Sequence, residues 1–156
     1  MDTRELQQYL HEHIPLSRKG GMRVEVLAAT AEGVRLSAPL APNINHRDTV
    51  FGGSAAALAI LSAWSLLHIR LNAENLNSRL VIHRSTMDYE RPITETFMAS
   101  SAIPDETNWL KFMNTLRRKH RARISVAAVL HCKNETVGKF EGDFVALLMQ
   151  NFTAEK

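Results

Sequence analysis

From Ala55 to Leu71 the only hydrophilic side chains are Ser62, Ser65, His68 and Arg70, and residues 50–69 carry no formal charge. A helix with no polar face has no resting place on the surface of a domain. It must cross a bilayer or be covered on most of its sides. The length suits a span, but Gly52, Gly53, Ser54, Ser62, Ser65, His68 and a run of alanines weaken transfer into lipid. The surrounding segments also read as strands. The segment is therefore expected to be a buried core helix, and no membrane partner is expected.

The flanking pattern supplies the cover. Leu6, Leu10 and Ile14 mark a short helical segment within residues 1–21 that ends at Pro15 and Gly20-Gly21. Met22, Val24, Val26 and Ala28 alternate with Arg23, Glu25 and Leu27. After Glu32-Gly33, the set Val34, Leu36 and Ala38 does the same, so the two strands predict a hairpin. Beyond the long helix, strands are predicted over 79–89, 96–103 (ended by Pro104), 123–131 and 137–148, with a turn at Lys133-Asn134 and bulges or a bend at Gly138 and Gly142. Trp109, Phe112, Met113 and Leu116, at i, i+3, i+4 and i+7, predict an amphipathic helix between the second and third of these. A flat hairpin cannot cover a helix that is apolar all round. The order implies an α+β fold in which a wide, curved antiparallel sheet wraps one long central helix.

With 156 residues and 45% hydrophobic content the chain suits one buried domain, 1–156. A formal charge of +3 fits an anionic ligand or an acidic partner and falls short of a nucleic-acid footprint. A lone cysteine, Cys132, has no disulfide mate in this sequence and supports no cysteine metal site. His11 and His13 lack further ligands, so no metal or cofactor is called for. No secretory signal pattern opens the sequence, which predicts a cytoplasmic location and leaves the sequons Asn134-Glu-Thr136 and Asn151-Phe-Thr153 without meaning.

The loop before the helix, Asn43-Ile-Asn-His-Arg-Asp-Thr-Val-Phe-Gly-Gly-Ser54, is dense in polar groups and ends in two glycines. The first N–H groups of a helix have no intrahelical acceptor and lie at the positive end of its dipole. With no Cβ at Gly52 or Gly53, a ligand can approach that backbone, which is the physics of an oxyanion hole. Tight packing of the helix start explains the glycines equally well.

Asn45-His46, Thr49 and Phe51-Gly52-Gly53-Ser54 running into an Ala/Leu helix resemble the hotdog thioesterase signature of Asn-His, Thr, His-Gly-Gly and a small residue. Phe-Gly-Gly-Ser in place of His-Gly-Gly, Trp64, Asp88-Tyr89-Glu90-Arg91-Pro92 and Phe140-Glu-Gly-Asp-Phe144 narrow the match. They are similar to stand-alone relatives of the hotdog domain in a two-domain bacterial protein, where it follows an acetyltransferase domain. That group includes malonyl-ACP decarboxylases. The resemblance implies a hotdog fold, a homodimer or higher homo-oligomer, an acyl carrier protein (ACP) or CoA thioester as substrate, and a catalytic role for Asn45.

Thioester hydrolysis wants a carboxylate to activate water. Many hotdog thioesterases carry it in the second or third helical turn, which here reads Ala57-Leu-Ala-Ile-Leu-Ser62. Asp48 in the loop is the nearest acid and the candidate base. Decarboxylation of a malonyl thioester needs no base. It needs neutral donors on the thioester carbonyl as the enolate forms, and Gly52, Gly53 and Asn45 supply that type of group. His46 is a candidate proton source or a packed loop residue. Phe51 and Ser54 complete the predicted substrate contacts. The basic run Arg117, Arg118, Lys119, His120, Arg121 and Arg123 is either a helix-dipole cap or a dock for an acidic carrier. Three readings stand: malonyl-ACP decarboxylase, thioesterase using Asp48, and non-catalytic acyl-thioester binding module.

Overall fold

The apolar segment forms one helix, α2 (Gly52–Ala73), in the computed structural model, which describes residues 1–103 and 105–149. The expected strand end at Pro104 and the Asn151 sequon lie outside the described residues. Around α2, the strands β1 (Glu25–Ala29), β2 (Gly33–Ala38), β3 (Ser78–Tyr89), β4 (Phe97–Ala102), β5 (Arg121–Cys132) and β6 (Glu135–Leu148) form one antiparallel sheet ordered β1-β2-β4-β5-β6-β3. α1 (Thr3–His13) precedes them, and α3 (Glu106–Lys119) joins β4 to β5. This is the α+β hotdog architecture.

Period-two alternation aims one set of side chains at the helix. Along β5 the residues Ala122, Ile124, Val126, Ala128 and Leu130 are buried, while Arg121, Arg123, Ser125 and Ala127 are exposed. Two polar groups of α2, Ser62 and Trp64, tie it to the sheet. Ser62 Oγ lies 3.0 Å from Ser101 Oγ on β4, and Ser101 Oγ donates to Ser62 O at 2.9 Å. Trp64 Nε1 donates to Leu80 O of β3 at 3.1 Å.

On β5, β4 pairs only with Ala128–Cys132, so the first half of β5 has no strand on that side among the described residues, and α3 packs beside it. Its buried face is Trp109, Phe112, Met113 and Leu116, as the spacing predicts. Arg70 of α2 lies 4.4 Å over the Trp109 ring and donates to both Glu106 carboxylate oxygens, at 2.9 and 2.6 Å. These bonds hold the Glu106 carboxyl below the usual carboxylate range. Lys133 and Asn134 take φ of 51° and 63°, the two-residue I′ geometry that suits the twist of β5 and β6.

The expected irregularities in β6 divide into two kinds. Leu130 pairs with Gly138 and His131 with Thr136, so Val137 is the extra residue of a bulge beside Gly138. Gly142 is in regular register with both neighbouring strands, which corrects the expectation of a bulge there. It is small because a Cβ would sit 2.7 Å from the Phe140 ring and 2.8 Å from the Phe144 ring.

α1 packs through Leu6 and Leu10, and its aromatic groups stack on α2. Tyr9 lies 4.2 Å from the His13 ring and 4.5 Å from His68, which is 4.6 Å from Trp64. Burial in this stack, and secondarily the charge of His13, push His68 down to about 4.

Gly142→Ala is expected to cost about 1–3 kcal/mol through overpacking of the two rings, read as a lower urea midpoint at unchanged slope. His68 adds a pH dependence. The unfolded chain takes up a proton near 6.5 that the folded chain refuses until about 4. Stability from this group is therefore present above that window and lost as pH falls through it. The urea midpoint of His68→Phe should fall less than that of the wild type across the same interval.

Candidate active site

Main-chain bonds fix both ends of the loop that leads into α2. Phe51 N–H donates to Asn43 O at 2.7 Å, and Val50 N–H to Ile93 O at 2.8 Å. Asn43 is buried, and its side-chain amide donates to Met22 O at 3.0 Å and Pro39 O at 2.7 Å. Inside the loop, Asn45 N–H donates to Thr49 O at 2.8 Å, and Asp48 turns the chain with φ of 58°. Phe51 caps α2 without a side-chain bond, while Ser54 and Ala55 N–H donate to Phe51 O at 2.9 and 3.1 Å. Gly52 and Gly53 N–H have no acceptor among the described residues. Two adjacent donors thus stand free at the positive end of a 22-residue helix.

Gly52 opens on a cleft of about 350 Å³ between Thr49, Val50, Gly52 and Ala55 on one side and Tyr89–Ile93 on the other, and Gly53 lies just outside its lining. Tyr89 Oη donates to Gly52 O at 3.1 Å and brings the end of β3 against the helix. The Val137 bulge aims the next residues, since its carbonyl accepts from both Glu90 N–H at 3.0 Å and Arg91 N–H at 3.1 Å. Glu90 lines the cleft, and Lys139 Nζ stands 3.3 Å from its carboxylate. The Phe51 ring is 58% exposed and folds over Gly53, where a Cβ would fall 2.3 Å from it, so the glycine makes room for the ring.

Asn45 is half-buried at the foot of the loop. Its Oδ1 accepts from Arg47 N–H at 2.8 Å, and its Nδ2 donates to Thr49 Oγ1 at 2.9 Å and, more distantly, to Val50 O at 3.4 Å. The side chain shapes the loop in this state. His46 and Asp48 are exposed; His46 Nε2 accepts from Arg47 Nε at 3.2 Å, and Asn45, His46 and Asp48 all lie beside the cleft and not in its lining. Ser54 sits in the first helical turn, part-buried, with no base bonded to its hydroxyl. Arg117 and Arg118 are not brought to the cleft. Arg117 is ion-paired with Glu74 at the other end of α2, roughly 33 Å away at about 1.5 Å per residue. Sequence reading missed Tyr89 and Glu90 as cleft residues. The only signal for them was the polar string Asp88–Arg91 ahead of Pro92, which has no spacing of its own.

The chain belongs to the family described as "Putative thioesterase (yiiD_Cterm)", whose model matches residues 3–148. It is similar to a Chlorobaculum tepidum TLS protein of unknown function, with 28% identity over 94% of each chain and a TM-score of 0.87. A Shewanella oneidensis protein described as a "putative thioesterase" has 27% identity, covers 93% of this chain with 96% of its own, and gives a TM-score of 0.81. A Pseudomonas aeruginosa protein with 18% identity shares the fold at a TM-score of 0.80, over 94% of this chain and 96% of its own.

Because Asp48 holds a left-handed conformation that asparagine also tolerates, Asp48→Asn should leave stability within about 0.5 kcal/mol of wild type. Asp48→Ala should cost about 1–2 kcal/mol. Thermal unfolding of the two variants checks the loop geometry.

Proposed function

On the premise of that family membership, we propose that the protein acts on an acyl thioester, and that its reaction is decarboxylation of malonyl-ACP to acetyl-ACP for the start of fatty-acid synthesis. The supporting observation is the pair of free N–H groups at Gly52 and Gly53, on a helix with no acidic residue from Gly52 to Ala73. The bond between the carboxylate carbon and Cα breaks, CO2 leaves, and the electron pair enters the thioester as an enolate. Donors that strengthen their bond as that oxygen gains charge lower the barrier. An acid on the helix would oppose it. A proton delivered to Cα then completes the acetyl thioester, and His46 is the candidate donor. Asn45 Nδ2 is the third neutral donor in this reading. Its contact to Val50 O at 3.4 Å is longer than a normal N–H···O bond, which leaves one proton for a substrate oxygen. The uncovered edge of β3 supports a homodimer.

One observation favours a second reading. Glu90 puts a carboxylate in the cleft wall, the group that hydrolysis needs. In that case Glu90, in place of Asp48, is the base. Purified protein incubated with malonyl-ACP separates the two, because acetyl-ACP accumulates in the first and free carrier thiol in the second. Glu90→Gln and Asp48→Asn should each keep most decarboxylase activity; a loss of several hundred-fold at either, with folding intact, would overturn the base-free mechanism. Asn45→Ala should lower kcat by roughly 10² to 10³, the usual effect of losing one such donor. Asn45→Asp should be at least as damaging, since it sets a carboxylate against the developing enolate. Full activity in Asn45→Asp would overturn the neutral-donor mechanism.

A further inference from the structure

Six basic groups away from the cleft gather at one end of the molecule. On the outer face of the sheet, Arg79 of β3 and Arg121 of β5 flank Leu147 of β6, and Val81 and Arg123 flank Val145 in the same way. Successive strands stand about 4.8 Å apart, so each flanking pair spans roughly 10 Å. Arg118 and Lys119 close α3 immediately before Arg121. Lys111 and Arg123 face one another across a groove of about 320 Å³ between α3 and β5, with Asn108, Thr115 and Ser125. All six cations are exposed, and none forms an ion pair among the described residues. In a chain whose formal excess is only +3, this is a marked concentration. Arg117, by contrast, is committed to Glu74.

We propose that this belt, Lys111, Arg118, Lys119, Arg121, Arg123 and Arg79, docks an acidic carrier protein that bears the thioester. The proposal rests on the thioester reading above and deepens it. Charge complementarity selects the partner. A groove that opens onto a strip of exposed cations, with Val81 exposed beside them, suits the acidic face of a folded protein better than a small anion, which one or two of these groups would satisfy. The belt ends at the free edge of β3, at Arg79, ten residues from Tyr89 and roughly 33 Å from the cleft of its own chain. Antiparallel pairing of two β3 edges brings the Arg79 end of one chain toward the Tyr89 end of its partner. The belt of one protomer thereby serves the cleft of the other.

The test uses two substrates with one thioester, malonyl-ACP and malonyl-pantetheine, together with apo-ACP, which has no thioester and reports docking alone. The triple variant Arg79→Glu/Arg121→Glu/Arg123→Glu should bind fluorescent apo-ACP about tenfold more weakly at low salt, with the difference shrinking as salt rises. Its ratio of kcat/KM for malonyl-ACP to that for malonyl-pantetheine should fall by a similar factor. Lys19→Glu, an exposed reversal off the belt, should change neither. If the triple variant does not fold, Arg118→Glu/Lys119→Glu on the exposed end of α3 carries the same expectation. Equal losses on both substrates, unchanged apo-ACP binding, or tighter binding of a random DNA duplex than of apo-ACP would each overturn the docking surface. Turnover of malonyl-pantetheine with no belt-dependent ACP binding would leave the enzyme reading standing. Belt-dependent binding with no turnover of either substrate would do the reverse.

Discussion

The structure depends on enclosing a helix that has nowhere polar to face. α2 carries eleven buried residues, and its Ser62 and Trp64 spend their hydrogen bonds on the sheet. A buried polar group without a partner is costly, so such bonds constrain where the helix can sit. The Ser62–Ser101 contact and the Trp64–Leu80 bond therefore set the rotation of the helix as well as its depth. On β6, Gly142 makes room for the Phe140 and Phe144 rings, and the bulge at Val137 interrupts the regular register.

The same bulge reaches the cleft. A regular β6 would offer one acceptor per pleat at Val137; the bulged carbonyl takes two N–H groups and turns Glu90 and Arg91 toward the start of α2. Enclosure of the helix and construction of the cleft are thus one problem. The helix end that emerges from the sheet keeps two donors free because the loop before it is closed by its own main chain and by the buried amide of Asn43. A helix N-terminus filled by a capping side chain would have had fewer donors for a ligand.

Electrostatically the molecule is divided along α2. The cleft end offers neutral donors, a tyrosine and one glutamate paired with Lys139, while the far end holds six cations with no ion pair among the described residues. A malonyl thioester on an acidic carrier presents both a small reacting centre, which needs donors at its carbonyl, and a large anionic body. The two ends of the fold match those two parts in the proposed reading.

Much of the fold was legible in the chain itself. Apolar continuity from Ala55 to Leu71 specified a covered helix, period-two alternation marked the strands, and Trp109, Phe112, Met113 and Leu116 marked α3, because burial imposes its period directly on residue type. The glycines at 52 and 53 pointed to the helix start that has free donors. Other features had no local signal. Gly142 looks like a bulge in the sequence, and only the two phenylalanine rings packed above it show why it is small. Tyr89 and Glu90 lie 37 and 38 residues from Gly52 and meet it through the pairing of β3 with β6. The basic residues of α3 and β5 appear as one run, yet tertiary structure gives Arg117 to Glu74 and adds Arg79 from another strand. Residue type and period are local properties written in sequence; the partner of a charge, or the far wall of a cleft, is decided by which strands become neighbours.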